Sequence, residues 1–150
     1  MKENVFMRRA LDLANEAAKE GEIPVGAVVV QNGVIVGEGR NTREGSLDVT
    51  GHAECNALKD AAKRLGTWRL SDCDVYVTLE PCPLCAAALA DARVKEVWFG
   101  AYDKRLGALE SMTRLYDLPL ASRPAFYGGV GEEEAAALLK DFFAEKRNGE

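Results

Sequence analysis

Two short stretches constrain this chain more than anything else in it: His52-Ala53-Glu54 and, after a gap of twenty-six residues, Pro81-Cys82-Pro83-Leu84-Cys85. The chain has only one histidine. A histidine, a carboxylate two positions on and a C-x-x-C pair can place three zinc ligands and a proton shuttle around one point, provided the fold brings residue 52 to residues 82 and 85. A catalytic zinc keeps three protein ligands and leaves a fourth position for water, whereas a structural zinc is closed by four. His52, Cys82 and Cys85 supply three. Glu54 is a poor fourth ligand on a thiolate-rich site and a good general acid/base, being one step further round the same turn and within reach of that water.

Two blander readings compete. A histidine at a helix start is more often a cap or a surface group, and it is the co-occurrence with Glu54 and the cysteine pair that favours zinc. Cys55 also allows a closed, purely structural site in the pattern H-x-x-C…C-x-x-C, made of His52, Cys55, Cys82 and Cys85. Against that, Cys55 can pack as a small buried hydrophobe, and a closed site leaves Glu54 without a role. Cys73, just before a strand, reads as inert. Disulfides fit less well than metal ligation, because cytosolic thiols stay reduced.

A chain of 150 residues that is 47% hydrophobic is one domain's worth, residues 1–150, and long enough to enclose a core. No run approaches the roughly 20 apolar residues of a membrane span, and the start Met1-Lys2-Glu3-Asn4 leads into an amphipathic stretch instead of a signal segment. A cytoplasmic protein with no membrane partner is expected. A net charge of −5 argues against a general polyanion binder and leaves room for a local basic patch. For an RNA partner, Lys104, Arg105, Arg114 and Arg123, with Arg40 and Arg43, should gather on one face.

The periodicities build the frame. Phe6, Met7, Ala10, Leu11, Ala14, Ala17 and Ala18 recur at helical steps between Asn4 and Glu20, and Gly21 stops the helix. Val25 to Val30 and Val34 to Val36 read as strands joined by a two-residue Asn32-Gly33 hairpin. Gly37 to Asn41 then leaves the second strand, and a polar loop runs to Thr50, a candidate cap for the next helix. That helix, Ala53 to Leu65, carries a narrow stripe of small residues ending at Gly66. A strand over 74–79, a helix from Leu84 to about Arg93 and a strand over 94–100 follow, the two strands parallel because a helix joins them. A short helix around Ser111 to Tyr116, a fifth strand around Phe126 and a final helix from Glu132 to Arg147 complete the order. This α/β alternation gives a mixed sheet of about five strands with helices on both faces. Two small-residue helices side by side on one face would set His52 and the cysteines at adjacent N-termini, where exposed N–H groups favour thiolate and hydroxide.

The pattern H-x-E…P-C-x-x-C is the known signature of zinc deaminases, so the chain resembles the cytidine deaminase-like superfamily, with its three-layer α-β-α fold. Read end to end, Ile23-Pro24-Val25-Gly26-Ala27-Val28, Gly37-Glu38-Gly39-Arg40-Asn41, Thr78-Leu79-Glu80-Pro81-Cys82, Phe99-Gly100-Ala101-Tyr102-Asp103 and Asp141-Phe142-Phe143 resemble the bacterial tRNA-specific adenosine deaminases. The resemblance covers nearly the whole chain. It implies one zinc per subunit, a homodimer, and conversion of the wobble adenosine of a tRNA anticodon stem-loop to inosine. It also implies that Asn41 contacts the base, Val25 forms the pocket wall and Asp103 lies in a loop near the nucleotide. From the residues alone, Asn41 is equally a turn residue or a reader of a base edge, through its amide donor and acceptor. In the expected reaction Glu54 takes the water's proton as C6 of adenine is attacked, then delivers protons to the ring nitrogen and the leaving ammonia, while neighbouring backbone, Ala53 included, orients the water.

Glu110, Arg43 and Ala121-Ser122-Arg123 depart from the family's usual residues, at places where tRNA contacts would fall. Two alternatives therefore stay open: a deaminase of a free base or nucleoside (guanine, cytosine or cytidine) using the same zinc and glutamate, and a structural-zinc binding module.

Overall fold

In the computed structural model, which describes residues 4–148, the chain opens with helix α1 (Val5–Lys19). Asn4 caps it, its side-chain oxygen accepting from the N–H groups of Phe6 and Met7 at 3.0 and 2.9 Å. Strands β1 (Gly26–Gln31) and β2 (Val34–Arg40) form an antiparallel hairpin turned at Asn32-Gly33, both with positive φ as such a turn requires. A four-residue helix α2 (Arg43–Ser46) precedes α3 (Ala53–Leu65), β3 (Cys73–Leu79), α4 (Pro83–Asp91) and β4 (Glu96–Ala101). A 3-10 turn (Leu115–Asp117), β5 (Ala125–Tyr127) and α5 (Glu132–Asn148) finish the chain.

The sheet runs β2-β1-β3-β4-β5. The β1 strand is antiparallel to β2 and β3, while β3, β4 and β5 are mutually parallel, so the sheet is mixed as the helix-joined strands require. Alternate residues along each strand feed two cores. On one face Ala27, Val29, Val75, Val77, Val97 and Phe99 meet Ala57 and Ala61 of α3 and Ala86 and Leu89 of α4. On the other, Val28, Val30 and Tyr76 meet Met7, Ala10 and Leu11 of α1 and Ala135 of α5. This is the three-layer α-β-α arrangement of the cytidine deaminase-like fold.

Four local expectations are corrected. Gly37 to Arg40 stay in β2 instead of leaving it. A Cβ at Gly37 would come within 2.6 Å of the Ala57 carbonyl oxygen, and one at Gly39 within 2.3 Å of that of Ala53. These glycines mark where α3 lies directly on the strand. The loop after Asn41 contains α2, held by the Glu22 carboxylate, which accepts from the N–H groups of Glu44 and Gly45 at 3.1 and 2.8 Å. Thr50 does not cap α3: its N–H and hydroxyl donate to Asp48 Oδ1. The helix expected around Ser111 shrinks to the 3-10 turn at Leu115–Asp117, because Ser111 is engaged elsewhere.

Candidate active site

Helices α3 and α4 both begin at the same end of the sheet, and a ligand residue stands at the N-cap of each, His52 on α3 and Cys82 on α4. Pro83 occupies the first turn of α4, where its missing N–H costs nothing. Cys85, one turn into α4, is buried. His52 Nδ1 lies 3.5 Å from Cys82 Sγ and 3.3 Å from Cys85 Sγ. With Zn–S near 2.3 Å and Zn–N near 2.0–2.1 Å, a tetrahedral centre demands nitrogen–sulfur edges of roughly 3.6 Å. The donor set therefore fits zinc. Among the described residues, these three ligand atoms form the one group that lies mutually within 4.8 Å. Cys55 Sγ reaches Cys85 Sγ at 4.0 Å but does not join that group, which leaves the closed four-ligand site unbuilt.

The electrostatics suit metal ligation. A hydrogen bond from Cys85, aided by the N–H groups of Cys85 and Leu84 and by His52, holds the Cys82 thiol down to about 5 against the effect of its burial. The Cys85 thiol is held up by its sulfur contacts to Cys55 and Cys82 and by burial. Glu54, in the first turn of α3, is 4% exposed. Burial pushes its carboxyl up to about 8, its own backbone N–H opposing the shift and the Cys82 sulfur adding to it.

Above these groups opens a cavity of about 450 Å³, within the range that takes a nucleoside-sized ligand. His52, Glu54 and Cys82 line it, as do Val25, Asn41 and Asp103. Asn41 is the residue that caps α3: its Oδ1 accepts from the Ala53 N–H at 2.8 Å and its Nδ2 donates to the Ile23 carbonyl at 3.0 Å. Its amide keeps one N–H and one lone pair beyond those bonds. Ala53 is fully buried, and its N–H is spent on Asn41 instead of facing the cavity. Asp103 Oδ1 accepts from the N–H groups of Arg105 and Leu106, which shapes the turn at the rim.

Arg43, Lys104 and Arg105 also line the cavity, all three exposed. The other three cations expected on this face have partners elsewhere: Arg40 pairs with Glu20 at 2.6 Å, Arg114 with Asp117 at 3.2 Å, and Arg123 donates to the Tyr116 carbonyl. Residues not foreseen from the sequence complete the wall. Ile23, Tyr102, Leu106 and Phe143 are exposed apolar side chains that line the cavity. Their signal was present, since Phe143 follows Leu139 by one helical turn, but a pattern of this kind reads as core until the fold shows which end stays open.

Residues 1–101 match the family model described as the cytidine and deoxycytidylate deaminase zinc-binding region. A tRNA-specific adenosine deaminase of Agrobacterium fabrum is 45% identical over 144 residues, covering 95% of this chain and 94% of the relative. The chain belongs to the tRNA-specific adenosine deaminase family. Another relative of this deaminase, from Deinococcus radiodurans, bears the name tRNA(Ile)-lysidine synthase and is 48% identical over 142 residues. That alignment covers 94% of the present chain but spans only 24% of the relative's length. A solved structure from studies of A-to-I editing by tRNA:A34 deaminases superposes on the deaminase with a TM-score of 0.88 at 40% identity, covering 90% of this chain and 99% of the other.

Proposed function

We propose that this chain catalyses the zinc-dependent hydrolytic deamination of adenosine to inosine at the wobble position of a tRNA anticodon. The observation that carries the reading is the three-ligand group with Glu54 buried beside it, opening into a nucleoside-sized cavity with a cationic rim. Residues 1–150 act in it as one deaminase domain, in the cytoplasm and as a homodimer. Among the described residues, no helix is long and apolar enough to cross a membrane.

His52 Nδ1, Cys82 Sγ and Cys85 Sγ would hold one zinc ion per subunit. Zinc bound there supplies Lewis-acid activation of a water at neutral pH. Glu54 takes the proton that an attacking water loses as its oxygen bonds to C6 of adenine, and passes that proton to N1 of the ring. It then carries the proton of the new C6 hydroxyl to the departing amine, so that ammonia leaves and inosine remains. Val25 walls the base, Asn41 offers its spare amide functions to the base edge, and Ala53 fixes Asn41 through its N–H. The Asp103 turn borders the nucleotide. Lys104, Arg105 and Arg43 suit the backbone phosphates of a single-stranded anticodon loop, and Tyr102 and Phe143 offer faces for unstacked neighbouring bases.

The test is deamination by zinc-loaded protein of an anticodon stem-loop with adenosine at the wobble position, beside free guanine, cytosine and cytidine. Inosine in the RNA is expected, and Glu54→Ala should lower kcat by about 10²–10⁴-fold with zinc retained. Turnover of a free base or nucleoside alone would overturn the tRNA reading. Zinc bound without any turnover would overturn the enzyme reading.

A further inference from the structure

The structure assigns to Glu80 the role of a positioning residue for substrate recognition: one buried carboxylate ties the cysteine turn to the loop that forms the substrate wall. Glu80 stands between the end of β3 and Pro81-Cys82 and is 2% exposed. Its two oxygens accept from five donors. Oε1 takes the Asp103 N–H at 3.1 Å and the Ser111 hydroxyl; Oε2 takes the N–H groups of Leu109, Glu110 and Ser111 at 3.2, 2.8 and 3.0 Å.

These donors bracket a loop without regular structure between β4 and the 3-10 turn, and the segment between Asp103 and Leu109 carries Lys104, Arg105 and Leu106 onto the cavity wall. Gly107 makes room for the arrangement, since a Cβ there would come within 2.4 Å of the Glu80 carboxyl. The Ala108 N–H adds a bond to the Pro81 carbonyl at 2.8 Å, so the loop is moored to the cysteine turn twice. Within the loop, Asp103 accepts from the N–H groups of Arg105 and Leu106 on Oδ1 and from that of Gly107 on its carbonyl; these bonds shape the turn but do not fix its place against the cysteine turn, for which it needs an anchor. The carboxylate gives it one, and thereby sets the rim cations at a fixed distance from the metal ligands.

Glutamine cannot take this place. Its amide nitrogen is a donor facing donors, so part of the ring of N–H groups loses its acceptor. The role rests on the tRNA reading, and the experiment separates the two. Zinc-loaded wild type, Glu80→Gln and Ser111→Ala are compared by metal content, by backbone hydrogen exchange, and by kinetics on the anticodon stem-loop. For Glu80→Gln, exchange in residues 102–111 should quicken about tenfold while helices α3 and α4 stay protected. The KM for the stem-loop should rise about tenfold, with kcat within about threefold and zinc still at one per chain. Ser111→Ala, which removes one donor of five, should move exchange and KM the same way by less, and it decides the matter if Glu80→Gln does not fold. Unchanged exchange and KM would overturn the role, as would loss of zinc or kcat at constant KM, which would place Glu80 in the service of the cysteines alone. A wild type inactive on RNA would defeat the substrate reading while the exchange arm still decided what Glu80 does to the loop.

Discussion

Glu54 and Glu80 are both buried carboxylates, and their surroundings drive them in opposite directions. Burial around Glu54 is met by little hydrogen bonding, so its carboxyl rises to about 8 and can carry a proton. Burial also works to raise Glu80, but the Ser111 hydroxyl and the N–H groups of Glu110, Ser111 and Asp103 outweigh it and hold the carboxyl below its ordinary value. One is equipped to exchange protons, the other to stay charged and hold backbone in place. The residue types of the metal group were legible from spacing, whereas Glu80 was not, because its donors lie more than twenty positions downstream. The same contrast yields a test at the cysteines. Cys55→Ala should keep one zinc per chain, since its sulfur lies outside the three-ligand group, and Cys82→Ala should lose the metal. Metal analysis after dialysis reads both, and loss of zinc in Cys55→Ala would restore the closed site.

At the scale of elements, the site depends on how closely α3 can approach the sheet. Its small-residue stripe was visible in the sequence; the second half of the strand that receives it, Gly37 to Arg40, was not, because glycines at 37 and 39 read as a break until the helix backbone is seen lying on them. Gly39→Ala would drive a methyl into the Ala53 carbonyl and the Ala57 N–H, at 2.3 and 2.5 Å. A loss of about 1–3 kcal/mol is expected, read from the urea midpoint, with zinc affinity falling as His52 is displaced. The α1 helix is tied to β2 by Arg9 and Glu38, 2.7 Å apart. The hydrogen bond from Arg9 holds the Glu38 carboxyl below its ordinary value. A depressed carboxyl contributes stability above its unfolded pKa and loses it as the pH falls through the folded one. The stability gap between wild type and Glu38→Gln should therefore be present at neutral pH and close on acidification, as urea titrations at stepped pH would show. A gap that widened in acid would contradict the pairing.

On the scale of the whole molecule, a chain of net charge −5 presents three exposed cations, Arg43, Lys104 and Arg105, beside one cavity. Binding to the anticodon stem-loop should weaken with salt along a log–log slope of about −2, each cation accounting for about 0.7, and Arg105→Ala should remove about that much. Fluorescence titrations across salt concentrations measure it; a flat response would place recognition in the base pocket alone. What the sequence by itself determined was the metal-ligand types and the frame: the histidine and cysteine pair, the hairpin, the helix-joined parallel strands and the two small-residue helices. All of these are written in local spacing or in period. Tertiary structure alone decided that Asn41 caps the helix carrying His52, that Glu22 and Glu80 each hold a segment bordering the cavity, and that Phe143 and Tyr102 line it instead of filling the core. Those are contacts between distant residues, and a carboxylate or an aromatic ring in a sequence carries no mark of which backbone it will meet.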